Sequence, residues 1–194
     1  MTNVKGGLFI LVLLLGVNAN AESSRKFGLF GGFGFSRAFA RVQQPGVETT
    51  LAGWGNTAEV GVDVPFSGSF GMIVGAEVGE SDLRNTYKSD TYLDQTTIKS
   101  KGLRAGFFYK NLSLGYGTRT VAVDLKAISS TTGASVAHLE GSGSYAYGAF
   151  SIDHREMLRG TLELQANTME LNSFSYTDYT IGLKASLLIN GLLD

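Results

Sequence analysis

The 194-residue sequence has no cysteine, 2 prolines and 2 histidines. Without cysteine there is no disulfide framework, no Cys-ligated zinc and no thiol nucleophile. A lipoprotein anchor is excluded as well, because that modification needs a cysteine at the cleavage point. His138 and His154 are too few for a His-rich metal site, so neither metal nor cofactor is expected. Charge is also scarce: Asp, Glu, Lys and Arg make up 17% of the chain, against about 25% in an ordinary soluble domain. The formal net charge is -1, which gives no footprint for nucleic acid. Past residue 21, no apolar run approaches the roughly 18 residues that a membrane-spanning helix needs. What the chain has in quantity is glycine, 26 residues, together with 12 Phe and 8 Tyr.

The N-terminus carries the most specific local signal. Lys5 supplies a positive start, Leu8 to Val17 is continuously apolar or small, and Ala19-Asn20-Ala21 follows. This is the pattern of a secretory signal peptide, residues 1–21, cut before Glu22. Its apolar core is too short for a spanning helix. Residues 22–194 then form one domain, and if that domain crosses a membrane it must do so with strands.

Period-two alternation recurs through the rest of the chain. Ala58, Val60, Val62 and Val64 alternate with Thr57, Glu59, Gly61 and Asp63; Phe70, Met72, Val74, Ala76 and Val78 alternate with Gly71, Gly75, Glu77 and Gly79. Leu158, Leu162, Leu164 and Ala166 alternate with Arg159, Thr161, Glu163 and Gln165. Similar stretches begin at Phe27, Gly102, Leu112, Ser144 and Tyr179, so eight strands are predicted. On the sixth, Tyr145, Tyr147 and Ala149 are assigned to the apolar face and Ser144, Ala146, Gly148 and Phe150 to the other. Connections near 65–69, 110–111 and 152–157 are short, while those near 39–56, 80–99, 120–142 and 168–176 read as long polar loops. Val121, Val123 and Leu125 in the third loop would extend strand five.

Alternation alone fits a soluble barrel with its apolar face inward as well as a membrane barrel. Three features favour the membrane. The less apolar face is crowded with glycines, among them Gly32, Gly34, Gly61, Gly75, Gly106, Gly117 and Gly148. Glycine weakens a solvated strand but suits the narrow inside of an eight-stranded barrel. The charges on that face, Glu59, Asp63, Glu77, Arg104, Arg119, Arg159, Glu163 and Lys184, can form an interior network. Buried charges require such partners. A turn near 67–68 sets Glu59 across from Glu77, with Arg104 the natural counter-charge, and Glu163 and Lys184 form a second pair. Finally, Phe66, Phe70, Tyr109, Tyr145 and Tyr179 lie toward strand ends, as aromatic girdles do. The fold class expected is all-β: an eight-stranded antiparallel up-and-down transmembrane β-barrel.

In these patterns the chain resembles the small eight-stranded outer-membrane barrels, a family that includes the membrane domain of outer membrane protein A. The likeness covers residues 22–189 and lies in pattern rather than in a diagnostic motif. It implies residence in the bacterial outer membrane, contact with lipopolysaccharide, and insertion by the outer-membrane assembly machinery. That machinery often reads a terminal aromatic residue; here the last strand ends at Leu187 and Ile189, followed by Asn190 to Asp194.

A filled barrel of this size is not an open porin, so a structural or surface role without enzyme activity is the leading expectation. A lipid A-modifying enzyme is the alternative, since such catalysis needs a nucleophile oriented by His and acid. His154 stands beside Asp153 and Glu156 on a short turn, and His138 lies near Glu140, Ser142 and Ser144. A turn histidine beside acids is more often a solvated surface residue, and a loop histidine near serines is common by chance, so the catalytic reading is the lesser one for both. A third reading is adhesion, with a protein or glycan partner held by loop residues Tyr87, Tyr92, Leu93, Phe174 and Tyr176, or with the same aromatics stacked on lipopolysaccharide.

Overall fold

In the computed structural model the described residues are 26–44, 47–67, 69–85, 91–129, 133–154, 157–171 and 174–190. Residues 1–21, read above as a signal peptide, Tyr87, Glu156 and the tail beyond Asn190 lie outside them, as do the side chains of Tyr92, Leu93 and Phe174. Eight strands follow in order: β1 (Gly28–Gln44), β2 (Val47–Pro65), β3 (Phe70–Asn85), β4 (Thr91–Tyr109), β5 (Leu112–Ser129), β6 (Gly133–His154), β7 (Leu158–Leu171) and β8 (Phe174–Asn190). Each pairs antiparallel with the next, and β8 returns to β1, with Leu29 opposite Ile189, to close the barrel. Closure leaves no sheet edge around the wall, a condition for strands within hydrocarbon.

One end is made of tight turns. Ser67 Oγ accepts from the Phe70 N–H at 3.2 Å, and Lys110 takes a φ of 52° in the two-residue connection to β5, where hairpin twist favours positive φ. Above these turns the outward positions are apolar on every strand. Val60, Val74, Leu103, Leu114, Leu164 and Leu183 are all exposed. Two aromatic levels bound this band. Phe70 stands between Phe66 (centroids 5.6 Å apart) and Phe107 (6.0 Å) at the turn end. Higher up, the Arg37 guanidinium lies 5.0 Å from the Trp54 ring centroid and 5.7 Å from that of Phe39, with Tyr179 opposite Phe39. Trp54 and Phe66 are separated along the chain by a rise of about 30 Å at ordinary strand pitch and tilt. That matches an apolar band of about 25 Å with its girdles.

Two sequence expectations need correction. The segments read as long polar loops are mostly strand: β1 and β2 run on to Gln44 and Val47, and β5 and β6 continue through Ser129 and Gly133. The cause is a change in the phase of alternation. Above the aromatic level the inward positions become apolar, with Ala38, Ala40, Leu51, Leu83, Ile98, Val121, Val123, Met169 and Leu171 buried. The outward positions there become polar, as at Glu80, Lys99, Asp124 and Glu140. A pattern that shifts by one residue cancels its own period-two signal. The extension of strand five through Val121 and Val123 is present.

The second correction concerns β6. Tyr145, Tyr147 and Ala149 point into the barrel and are buried, and Gly148 lies on the outward face instead. Tyr145 therefore belongs to no girdle. These tyrosines explain the glycines facing them. A Cβ on Gly115 would lie 2.6 Å from Tyr147 Cε1, one on Gly117 would overlap the Tyr145 ring, and one on Gly61 would overlap Phe30. Inner glycines thus make room for named large side chains across a lumen too narrow for both. Gly117→Val should destabilise the barrel by about 1–3 kcal/mol through overpacking, measured as a lower urea midpoint in lipid bilayers. Adding Tyr145→Ala should recover most of that loss, because all three nearest atoms to the added Cβ belong to Tyr145.

Candidate functional site

The inward side chains are stacked in layers. Nearest the turns, Phe30, Ile73, Phe108 and Leu188 form a buried apolar floor. Beside it, Arg159 bonds Asp63 at 2.6 Å and Asp153 at 2.7 Å. Above lies the central cluster. Arg104 contacts Glu59 at 2.9 Å and Glu163 at 2.7 Å, and Lys184 contacts Glu59 and Glu163 at 2.8 Å each. Both cations stand 4.0 Å from Glu77, which faces Glu59 directly across β2 and β3. Gln165 Nε2 donates to Glu163 Oε1 and Ser186 Oγ to Glu59 Oε1, so the carboxylates are held by neutral donors as well as cations.

A third layer is more polar than charged. Arg119 donates to Asn167, and Asn167 donates to Asp178 and, at 3.3 Å, to Thr180. Arg119 also lies 4.8 Å from the Tyr145 ring centroid, and Arg104 5.0 Å from that of Tyr147. A small cavity of ≈ 40 Å³ separates this layer from Glu77. Over it sits the upper apolar plug, ten buried side chains from Ala38 to Tyr176.

The eight charged residues read as one network thus fall into three groups. Glu59, Glu77, Arg104, Glu163 and Lys184 are together; Asp63 and Arg159 form the lower pair; Arg119 belongs to the upper layer. Sequence reasoning missed Asp153, Asn167 as a bonding partner, and Asp178. Asp153 shares the parity of Tyr145 and Tyr147, so turning β6 the wrong way hid it. Asp178 precedes Thr180, Gly182 and Lys184 on the inward face of β8, and parity alone would have found it. Tyr176, read as a displayed loop aromatic, is buried in the upper plug.

Two features face outward at the upper level. A groove of ≈ 730 Å³ runs across the wall, with Phe33, Ala58 and Val78 on its apolar part and Glu80, Lys99, Lys101 and Glu140 on its charged part. Lys99 and Lys101 make no ion pair among the described residues. Beyond it, on the part of the β5–β6 hairpin that continues upward, His138 Nδ1 meets Asp124 Oδ1 at 2.6 Å and Nε2 stands 3.6 Å from Glu140. Ser142 is four residues away along an extended strand, or about 13 Å, and therefore out of bonding reach. His154 ends β6 at the opposite, turn end and is exposed.

The ion cluster rests on its cations. Removing Arg104, as in Arg104→Met, leaves Glu59, Glu77 and Glu163 facing Lys184 alone and should cost about 3–5 kcal/mol. Glu77→Gln should change stability far less, because no cation approaches it closer than 4.0 Å. Urea titration of the two variants in bilayers gives the comparison. At the rim, the hydrogen bond to Asp124 and its negative charge, with Glu140 adding to both, raise the His138 pKa above its ordinary value. A raised value means that the charged pair favours the folded hairpin at acidic pH, and that this contribution fades as pH rises through the His138 pKa. Ring-proton NMR should show His138 titrating higher than in the Asp124→Asn variant.

No protein-family model and no curated protein sequence matches the chain. Solved structures do. Neisserial surface protein A superposes with a TM-score of 0.53 at 12% identity, covering 81% of this chain and 96% of that one. Ail, the attachment invasion locus protein of Yersinia pestis, gives 0.50 at 13% identity over 82% of this chain and 98% of its own. Ail in complex with the heparin analogue sucrose octasulfate gives 0.50 at 14% identity, covering 84% and 99%. These neighbours are eight-stranded outer-membrane barrels, and the fold described above is theirs.

Proposed function

We propose that this chain is a non-enzymatic protein of the bacterial outer membrane, exported by the signal peptide at residues 1–21 and inserted by the outer-membrane assembly machinery. Its role is structural and surface-interacting: the wall anchors in lipid and the upper hairpins face outside, presenting a surface to a protein or glycan. The observation that carries this reading is the sealed lumen. An apolar floor of Phe30, Ile73, Phe108 and Leu188 and an upper plug around Leu51, Leu83, Val123 and Met169 stand at the two ends of a paired charge cluster. A side-chain-filled eight-stranded barrel has no room for a large aqueous path. Lys99 and Lys101, which make no ion pair among the described residues, lie beside Phe33, Ala58 and Val78 and suit the phosphates of lipopolysaccharide, with acyl chains against the apolar side.

The lipid A-modifying alternative has less support. Catalysis requires a nucleophile within hydrogen-bond reach of its base, whereas His138 pairs with Asp124 and Glu140 and stands far from Ser142. In planar bilayers the folded barrel, verified by heat-modifiable gel migration, should give no large steady conductance. Large, lasting channels would refute the sealed-barrel reading. Lipid A in cells carrying His138→Ala should match that of cells carrying the unaltered chain, and a loss of modification would revive the enzyme.

A further inference from the structure

Strand β6 is the longest in the barrel, 22 residues, and its upper part has a partner on one side only. On β5 the pairing continues to the tip, Ser129 opposite Gly133. On β7 it stops at Ser142 opposite Glu170, so among the described residues Gly133 to Glu140 have no neighbour beyond β6. The rest of the rim is more even. β1 and β8 pair up to Gln43 and Ser175, and β3 and β4 up to Arg84 and Gln95. The β5–β6 hairpin therefore carries an open edge of eight residues, about 26 Å of extended chain.

The two faces beside that edge differ. On the inward face Leu139 and, across β5, Leu125 pack against the upper apolar plug, so the core continues up to the edge and stops there. On the outward face are Val136, which is 72% exposed, then His138 and Glu140. Val136 and Leu139 supply apolar surface to an incoming strand, and Glu140 is the carboxylate nearest its outer side. An open row of strand N–H and C=O groups is matched at its own repeat by one kind of ligand, another extended polypeptide.

We propose that the Gly133–Glu140 edge of β6 is a docking site for an extended segment of another protein, added to the sheet by backbone pairing. The segment alternates apolar residues, which join Leu139 and Leu125, with basic or hydroxyl residues, which lie beside His138 and Glu140. This rests on the proposed outer-membrane reading, in which the hairpin projects to the outside. A second copy in the same membrane is a poor fit for antiparallel pairing, because both barrels would run their β6 strands in the same direction across the bilayer.

The test uses the full mature chain folded in phosphatidylethanolamine/phosphatidylglycerol nanodiscs. The probe is a labelled, capped nonapeptide alternating valine with lysine and threonine, and its control is the same peptide N-methylated at every second residue. Binding is followed by fluorescence anisotropy, and backbone amide exchange reports on residues 133–140. The probe should bind at least tenfold tighter than the control and slow exchange within the edge. Glu140→Lys should weaken the lysine probe about tenfold and favour a glutamate-bearing version. Successive strand amides point to opposite sides, so of Val136→Pro and Ala137→Pro one removes a free-edge donor while leaving the β5 pairing intact. That variant should lose the probe with β5 exchange unchanged. Equal binding of the methylated control, or exchange at 133–140 unaffected by the probe, overturns the proposal. So does protection without probe accompanied by dimers in sedimentation, which would assign the edge to a second copy. Failure to insert into bilayers would instead overturn the membrane reading, and heat-modifiable migration and vesicle flotation record insertion separately.

Discussion

The whole structure depends on closing a hydrogen-bonded ladder after eight strands. In hydrocarbon no water is available to a free amide, so the wall must close, and at eight strands it closes around a lumen barely wider than its own side chains. Everything inside follows from that width. Where Tyr145 and Tyr147 cross the lumen, the facing positions are Gly117, Gly106 and Gly115. Where Arg104, Arg159 and Lys184 enter, they meet carboxylates from other strands within salt-bridge distance, because these side chains cannot avoid their opposite neighbours. Glu59, Arg104, Glu163 and Lys184 come from β2, β4, β7 and β8, so one cluster ties together half of the strands. Buried ion pairs of this kind add little net stability compared with apolar packing. They do penalise any register that separates them, and a slip of one strand by one residue would turn that strand's charge toward the lipid.

Much of this was legible in the sequence, and the reason is period two. The outward apolar series on β2, β3, β7 and β8, the facing of Glu59 and Glu77, and the pairing of Glu163 with Lys184 follow from parity plus the position of one tight turn. Parity fails where both faces look alike. On β6, Tyr145 and Tyr147 resemble a lipid-facing stripe, while Ser144, Ala146 and Gly148 resemble an inner one. Yet the strand is turned the other way. A tyrosine carries enough ring to face lipid and enough polarity to sit beside Arg104 or Arg119, so its presence does not choose a face. The small outward residues are tolerated because a wall facing lipid gains little from any one side chain. The same ambiguity concealed Asp153 and the lower Arg159 pair.

The other illegible feature is the change of solvent along a single strand. Between the turns and the Trp54 level the surroundings are lipid and the lumen is polar, so outward positions are apolar. Above that level the surroundings are water, and the lumen becomes a small soluble-type core, so the inward positions take over. On β3 the apolar series runs Phe70 to Val78 on the outside and resumes at Leu83 on the inside; on β5 it runs Leu112 to Tyr116 outside and then Val121 and Val123 inside. A reader of alternation sees a strand end there, because the phase breaks. The backbone does not break, since hydrogen bonding is indifferent to which side carries the apolar atoms.

That inversion also bears on what the upper part can do. A water-exposed barrel extension with its own core is rigid enough to hold a projecting hairpin, whereas the polar loops first read from the sequence would not be. The upper plug stiffens β5 from within through Val121 and Val123, while Asp124 and His138 clamp the hairpin from outside. Rigidity lowers the ordering cost of any partner that docks there. The same plug that fills the upper lumen is therefore what holds the rim in a fixed shape.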